Sequence, residues 1–131
     1  MALKYKTICV DFDGVLAYTN DEVYPEVLEV NTTAIQWLKL YQSKGGRIIL
    51  FTCRADWDLE VALNKLIENK FVVDAINQNT QENIDKWRKK HPHSSLSVKP
   101  FCDMYIDDST YPNNITGIDW ALLGRELLKE V

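Results

Sequence analysis

Two short apolar runs of the chain are each followed by a pair of aspartates. Asp11 and Asp13 follow the first run, and Asp107 and Asp108 follow the second. Four carboxylates brought close together repel one another and hold protons more tightly unless a cation joins them. Ligands that are all oxygens favour a hard cation, and Mg²⁺ suits a site with few protein ligands and several waters. The acidic residues therefore predict a Mg²⁺ site, provided that the fold brings the two pairs together.

The elements that must position these residues alternate between strands and helices. Continuous β-branched apolar runs predict buried strands, and apolar residues at helical spacing between capping and glycine positions predict helices. The predicted strands are Thr7–Val10, Arg47–Phe51, Phe71–Val73 with an extension towards Ile76, Met104–Ile106 and a short edge strand at Ile115–Ile118. The predicted helices run from Asn31 or Thr32 to Ser43, from Asp56 to Asn69, from Gln81 to Lys90 and from Asp119 to Val131.

This alternation is typical of a three-layer, Rossmann-like α/β fold, with a parallel sheet, right-handed crossovers and helices on both faces. The 131 residues fit one domain, residues 1–131, and contain no repeat or linker. Residues 15–30 are predicted to be an irregular loop or small flap. Ligands bind beyond the carboxyl ends of the strands in such sheets. Because Asp11, Thr52 and Asp107 follow three different strands, we expect them at one edge of the sheet.

Composition and charge limit the kinds of partner. Fifteen Lys and Arg against nineteen Asp and Glu give a formal net charge of −4, which argues against a nucleic-acid-binding surface. The sequence has neither a signal-peptide core nor an apolar run near 18 residues, so we expect a cytoplasmic protein without a membrane span. The three cysteines, which form no metal-binding pattern, are interpreted as reduced thiols: Cys9, Cys53 and Cys102.

Two other groups of residues are interpreted as structural. His91 and His93 lie in a polar turn and lack the further ligands that a zinc site needs. The four tryptophans fall mostly at helical spacing or at a helix start and are predicted to pack rather than to stack on bases: Trp37, Trp57, Trp87 and Trp120.

The motifs together resemble those of the haloacid dehalogenase-like (HAD) superfamily of phosphohydrolases. The segment Asp11–Leu16, Asp-Phe-Asp-Gly-Val-Leu, is similar to the first motif, with Val15 in place of the usual Thr. Phe51-Thr52 resembles the second motif, Lys99 the third, and Tyr105-Ile106-Asp107-Asp108 the fourth. The resemblance covers nearly the whole chain, and the motifs occur in the expected order.

The resemblance implies that the chain is a phosphatase. Asp11 would attack phosphorus and form an aspartyl-phosphate, and Asp13 would serve as general acid and then as general base. An Asp at position 13 favours phosphate-ester hydrolysis, because the dehalogenases and P-type ATPases of the superfamily lack it. Mg²⁺ would be held by Asp11, the backbone carbonyl of Asp13, Asp107 and, directly or through water, Asp108.

Three further residues are predicted to contact the phosphoryl group or the rest of the substrate. The resemblance implies that Thr52 and Lys99 hold phosphoryl oxygens. Lys99 is preferred to the other nearby lysines because it lies shortly before a strand. For Arg54 two alternatives stay open: its planar fork binds a substrate phosphate or carboxylate, or it is a surface charge at a helix start.

The small size of the chain implies a member without a cap domain. Either a large substrate closes such a site, or a neighbouring subunit supplies the missing wall, which makes a homo-oligomer an expected state. The alternatives to a phosphatase are a phosphotransferase, a nucleotide-directed phosphatase, or a non-catalytic Mg²⁺-binding regulatory module of the same fold. The complete set of motif residues disfavours the non-catalytic module. A phospho-receiver domain is disfavoured because the adjacent Asp107 and Asp108 follow a late strand.

Overall fold

The secondary structure alternates as the sequence predicts. We describe it from a computed structural model, in which residues 2–94, 99–108 and 117–131 are described. The strands are β1 (Thr7–Val10), β2 (Ala17–Tyr18), β3 (Glu29–Val30), β4 (Arg47–Leu50), β5 (Ala75–Ile76) and β6 (Met104–Ile106). The helices are α1 (Thr32–Ser43), α2 (Asp56–Glu68), α3 (Gln81–Lys90) and α4 (Trp120–Leu127).

The main sheet has four parallel strands in the order β5-β4-β1-β6. All four residues of β1 are buried, as expected for a continuous apolar strand in the middle of a parallel sheet. The chain passes from β1 to β4 and β5 and then returns to β6 on the other side of β1. The direction of strand order therefore reverses beside β1, and ligands of open α/β sheets bind at such a reversal.

Helices cover both faces of the sheet, so the predicted three-layer α/β fold is confirmed, and no cap domain is evident in the described part of the chain. Helix α1 packs on α4. It also contacts the exit of α2, where the Gln42 side chain donates to the carbonyl of Val72 at 2.7 Å. Right-handed crossovers put α1 and α2 on one face and α3, which leads back to β6, on the other.

One apolar core joins the sheet to α1. The buried residues of α1 recur at helical spacing, as predicted: Ala34, Ile35, Leu38 and Tyr41. The buried Tyr41 hydroxyl donates to the carbonyl of Tyr5 at 2.9 Å, so this polar group enters the core with a partner. The sheet contributes several fully buried side chains to the same core: Ile8, Val10, Ile48 and Leu50.

The third predicted strand is wrong over Phe71–Val73, because the strand pairing begins only at Ala75, whereas its predicted extension towards Ile76 is confirmed. Lys70 has a φ of 57°, which turns the chain out of α2, and the Phe71 N–H donates back to the carbonyl of Leu66 at 2.9 Å. The Phe71 side chain is 1% exposed. Phe71 is therefore apolar because it packs between the end of α2 and the core, and not because it pairs in the sheet.

Other predictions differ at the ends of elements or on the surface. Helix α4 ends at Leu127, short of the predicted Val131, and β4 ends one residue before Phe51. The predicted loop at 15–30 contains a small antiparallel pair of β2 and β3, called the flap below (residues 15–30). The strand predicted at 115–118 lies partly outside the described residues, and residues 117–118 are not in a strand.

Trp57 is 63% exposed, so the prediction that it packs in the interior is wrong. The same interpretation is confirmed for Trp120, which is buried, and for Trp37, which packs against the core. The cysteines are free thiols, as predicted: Cys9, Cys53 and Cys102. In residues 2–94, 99–108 and 117–131, no helix has the length and apolar character needed to cross a bilayer.

The contact between α1 and α4 depends on a glycine. A Cβ atom at Gly124 would lie 2.2 Å from Cδ2 of Trp37. We expect Gly124→Ala to lower the free energy of unfolding by about 1–3 kcal/mol, because the rigid indole forces the helices apart. This loss outweighs the gain of about 1 kcal/mol in helix propensity. Urea unfolding measures it.

The control for this prediction is Leu122→Ala in the same helix, since Leu122 is 62% exposed. We expect that change to alter the free energy of unfolding by no more than about 0.5 kcal/mol. A Gly124→Ala variant as stable as the native protein would contradict the close packing of α1 on α4.

Candidate metal and active site

The register of the sheet brings the two acidic motifs together. Val10 pairs with Ile106 in the parallel ladder, so Asp11 and Asp107 are the next residues at the same edge. The backbone N–H of Asp11 donates to the carbonyl of Ile106 at 3.0 Å, which continues the ladder by one bond. The predicted convergence of Asp11 and Asp107 therefore follows from the pairing of β1 with β6.

Three carboxylates form a cluster at this edge. Oxygen atoms of Asp11, Asp107 and Asp108 all lie within 4.8 Å of one another. In the described part of the chain, no other group of three or more His, Cys, Asp or Glu side chains is placed to share a cation. His91 instead contacts the ring of Trp87, with a centroid separation of 4.3 Å.

Gly14 allows the first acidic loop to approach the second. Its φ is +80°, and a Cβ atom at this position would lie 2.0 Å from Oδ2 of Asp108. Only glycine combines this backbone conformation with the space that the Asp108 carboxylate occupies. The close approach of Asp108 thus explains why the Asp-x-Asp-Gly segment has glycine at this position.

Asp11 is electrostatically strained by its surroundings. Burial is the largest cause that raises the pKa of its carboxyl from 3.8 to about 6. The nearby carboxylates of Asp107, Asp108 and Asp13 add to this rise, and the Phe12 N–H, which donates to Asp11 Oδ1 at 2.8 Å, opposes it. A bound cation would relieve this repulsion.

The donor set fits a small divalent cation. Each Mg–O bond is about 2.1 Å long, so ligands on opposite sides of Mg²⁺ are about 4.2 Å apart. The three clustered carboxylates offer oxygens within 4.8 Å of one another, which is close to this separation. Asp11, Asp107 and Asp108 are therefore the side chains that could hold Mg²⁺.

The carboxylate of Asp13 lies outside this cluster and is paired with Arg54. Arg54 Nε donates to Asp13 Oδ2 at 2.9 Å, and Nη2 donates to Asp13 Oδ1 at 2.9 Å. This ion pair is the largest cause that raises the pKa of Arg54. Any contact of Asp13 with a cation would thus come from its backbone carbonyl, as the sequence analysis expects.

Arg54 is 2% exposed, so the alternative that it is a surface charge at a helix start is wrong. Its Nη1 donates to the carbonyl of Pro25 at 2.7 Å and to that of Asp58 at 3.0 Å. A substrate contact by Arg54 stays a prediction, since four of its five N–H groups already donate to protein oxygens.

The flap is tied to the start of α2. The Tyr24 hydroxyl donates to Asp58 Oδ2 at 3.1 Å, and the Tyr24 ring lies 4.6 Å from the Arg54 guanidinium carbon. The flap therefore closes over Arg54 and forms one wall beside Asp13. No pattern in the sequence indicates this contact, since the 34 residues that separate Tyr24 from Asp58 hide it.

Thr52 lies just beyond the end of β4, as predicted. Its backbone N–H donates to Asn77 Oδ1 at 2.8 Å, and its hydroxyl accepts the N–H of Arg54 at 3.1 Å. The hydroxyl retains a donor hydrogen for an anionic oxygen. The carboxyl end of β4 thus carries a fixed hydroxyl on the side of the sheet that carries Asp11.

Lys99 lies beside the loop that follows β5. The side-chain nitrogen of Asn79 donates to the carbonyl of Lys99 at 3.3 Å. The Lys99 ammonium lies 5.7 Å from the centre of the Tyr105 ring, and its side chain is exposed. Its predicted role at the phosphoryl group stays a prediction, and Asn79, which is 4% exposed, is an anchor for this segment that the sequence analysis missed.

The fold and the site together define a Rossmann-like α/β protein with an acidic cluster where the strand order reverses. Comparison with known proteins supports the fold. The chain is similar to a conserved protein from Bacteroides thetaiotaomicron of known structure, with a TM-score of 0.71 and 28% sequence identity. The match covers 95% of this chain and 88% of that one. No family model matches the chain, and no curated protein does.

Proposed function

We propose that the protein is a Mg²⁺-dependent phosphate-ester hydrolase of the HAD type that acts through a covalent intermediate on Asp11. The supporting observation is the position of Asp11 at the end of the central strand, within 4.8 Å of the carboxylates of Asp107 and Asp108. Its pKa, raised to about 6, is the consequence expected for a carboxylate placed where a cation belongs. Burial and crowding of this kind have no evident structural benefit for the fold.

The proposed reaction has two displacements. An Asp11 oxygen attacks phosphorus and the bond from phosphorus to the ester oxygen breaks. Asp13, protonated for this step on an oxygen lone pair that does not face Arg54, gives that proton to the departing alcohol. Water then attacks the phosphorus of the aspartyl-phosphate, Asp13 takes a proton from that water, and phosphate leaves with Asp11 restored. Thr52 and Lys99 are proposed to bind the phosphoryl oxygens.

Asp11, Asp107, Asp108 and the backbone carbonyl of Asp13 are the groups proposed to hold Mg²⁺. When bound, the ion supplies positive charge between the nucleophile and the phosphoryl oxygens. The chain's own contribution is to hold the nucleophile at the end of a rigid strand, because a buried parallel strand leaves Asp11 little freedom.

The proposed substrate is a phosphate monoester that reaches an edge with little cover. The flap provides a wall beside Asp13, and no cap domain is evident in the described residues. We therefore retain two proposals for closing the site: a large phosphorylated substrate or a neighbouring copy of the chain. The cytoplasmic location also stays a prediction.

Metal dependence is the first expected result. Phosphate release should be assayed with p-nitrophenyl phosphate, sugar phosphates, nucleoside monophosphates and a phosphopeptide, with Mg²⁺ or with excess EDTA. We expect at least one ester to be hydrolysed, with EDTA lowering the rate about 10²-fold or more, since a catalytic cation supplies several kcal/mol. Added Mg²⁺ should restore the rate.

The other outcomes separate the alternatives. Hydrolysis that is insensitive to EDTA would overturn the metal-dependent mechanism. Calorimetric binding of Mg²⁺ without release from any ester would instead favour a non-catalytic regulatory module. Phosphoryl transfer to an added alcohol, with little free phosphate, would favour a phosphotransferase.

A further inference from the structure

The pairing of Arg54 with Asp13 has a geometry that a simple surface ion pair lacks. The Arg54 side chain is 1% exposed, whereas that of Asp13 is 36% exposed. The arginine is therefore enclosed by protein, while the carboxylate that it holds stays partly exposed to solvent. An ion pair built only for stability has no need to leave one partner accessible.

The guanidinium of Arg54 is fixed from its edge. Four hydrogen bonds leave its three nitrogens, two to the Asp13 carboxylate and one each to the carbonyls of Pro25 and Asp58. A guanidinium has five N–H groups, so these bonds use most of its capacity. The planar fork thus has one orientation available to it.

Two aromatic rings also lie close to the same guanidinium. The ring centre of Phe12 lies 5.0 Å from the Arg54 guanidinium carbon, and that of Tyr24 lies 4.6 Å away. Phe12 belongs to the acidic loop after β1, and Tyr24 belongs to the flap. Arg54 thereby joins three segments that are distant in sequence: the acidic loop, the flap and the start of α2.

This arrangement fixes the carboxylate of Asp13. Two parallel N–H···O bonds to one carboxylate prevent rotation about the bond that joins it to Cβ. The oxygen lone pairs that do not face Arg54 consequently keep a constant direction. A group that exchanges protons with an ester oxygen or a water needs such a constant direction.

We propose that Arg54 is a positioning residue, whose enclosed guanidinium fixes the exposed Asp13 carboxylate and joins it to the flap, so that Asp13 meets the leaving oxygen in one orientation. This inference rests on the proposed phosphatase function. It differs from a substrate-binding role because the donors of Arg54 are already directed at the protein.

The test compares two esters that differ in their need for a proton. p-Nitrophenyl phosphate has a leaving group that departs as an anion, whereas an alkyl phosphate such as glycerol phosphate needs proton donation. The quantity kcat/KM reports the steps up to departure of the alcohol, so it isolates the first displacement. We expect Arg54→Lys to lower kcat/KM for the alkyl ester about 10²-fold more than for the nitrophenyl ester.

Lysine retains the charge of Arg54 but not its fork, so the change removes the paired hydrogen bonds to Asp13 and weakens those to the carbonyls of Pro25 and Asp58. Both esters are assayed on the same preparation, so the fraction of folded protein cancels from the ratio of the two rates. Arg54→Gly provides a second variant, in which added guanidinium ion should restore the alkyl-ester rate selectively. The control is Arg47→Lys, because Arg47 is half-exposed and pairs with Glu82 at 3.6 Å.

Equal losses for the two esters in Arg54→Lys, or no loss in a folded variant, would overturn the positioning role and leave the proposed phosphatase intact. Failure of the native protein to hydrolyse any ester of the panel used for metal dependence would overturn both proposals. A loss confined to KM for both esters would assign Arg54 to substrate binding instead.

Discussion

Replacement of Asp11 by asparagine should abolish ester hydrolysis, lowering kcat by a factor on the order of 10⁴ or more. Asparagine has nearly the same shape, and its carbonyl oxygen can still accept the Phe12 N–H that Asp11 Oδ1 accepts at 2.8 Å. The amide oxygen is, however, a poor nucleophile towards phosphorus. The measurement is phosphate release at saturating Mg²⁺ and substrate.

The matched control is Asp85→Asn on α3. Asp85 is exposed, its carboxylate accepts a hydrogen bond from Gln81 at 2.9 Å, and it is not part of the acidic cluster. We expect that variant to retain the native rate. Release that persists in Asp11→Asn at more than a few per cent of the native rate would contradict Asp11 as the nucleophile.

Detection of the covalent intermediate tests the role of Asp11 as nucleophile without measuring turnover. Rapid acid quenching of the native protein with a ³²P-labelled ester should leave label on the protein, and hydroxylamine should remove it as expected for an acyl phosphate. Asp11→Asn should carry no label. Label that survives in the variant would move the nucleophile to another residue.

The sequence predicts the elements that depend on continuous burial. The bounds of β1 are those predicted from its apolar run, and all four of its residues are buried. The bounds of β6 and α3 are also as predicted, although Tyr105 of β6 is exposed and α3 has no buried residue. A strand that is buried on both faces is restricted to apolar residues, so it can be predicted from its own sequence without the rest of the chain. The polar ends of β1 and β6 then predict where Asp11 and Asp107 meet.

The remainder depends on contacts between distant segments. Arg54 and Asp13 are 41 residues apart, and neither residue type nor spacing distinguishes their pairing from a substrate contact. The predicted start of β5 was wrong because Phe71 is buried beneath the end of α2 and does not belong to the sheet. Local patterns record burial, but they do not record which element provides it.

The acidic cluster should also make the metal-free protein less stable than its Asp11→Asn variant at neutral pH. The folded pKa of Asp11 is about 6, against 3.8 for an ordinary aspartate. Between these values the folded protein binds a proton that the unfolded chain has lost, so the stability falls as the pH rises. The loss begins near pH 4, is complete above about pH 6 and is on the order of 2 kcal/mol after allowance for partial exposure.

Asparagine cannot ionise, so the variant escapes this loss. We expect its melting temperature in EDTA to exceed that of the native protein by several degrees at pH 7.5, at about 3–5 °C per kcal/mol, and to converge with it near pH 4. Asp85→Asn should show no such pH-dependent difference. A metal-free variant that melts below the native protein at pH 7.5 would show that Asp11 is not under electrostatic strain.

Mg²⁺ should reverse the order of stability. A ligand that binds only the folded state stabilises it by RT ln(1 + [L]/Kd), which is about 2.7 kcal/mol at a concentration of 100 times Kd. The native cluster should gain this stabilisation, whereas Asp11→Asn loses one carboxylate ligand and should gain less. The same carboxylate is proposed as nucleophile and as metal ligand. The lower stability of the metal-free protein is therefore the expected consequence of placing Asp11 where both roles require it.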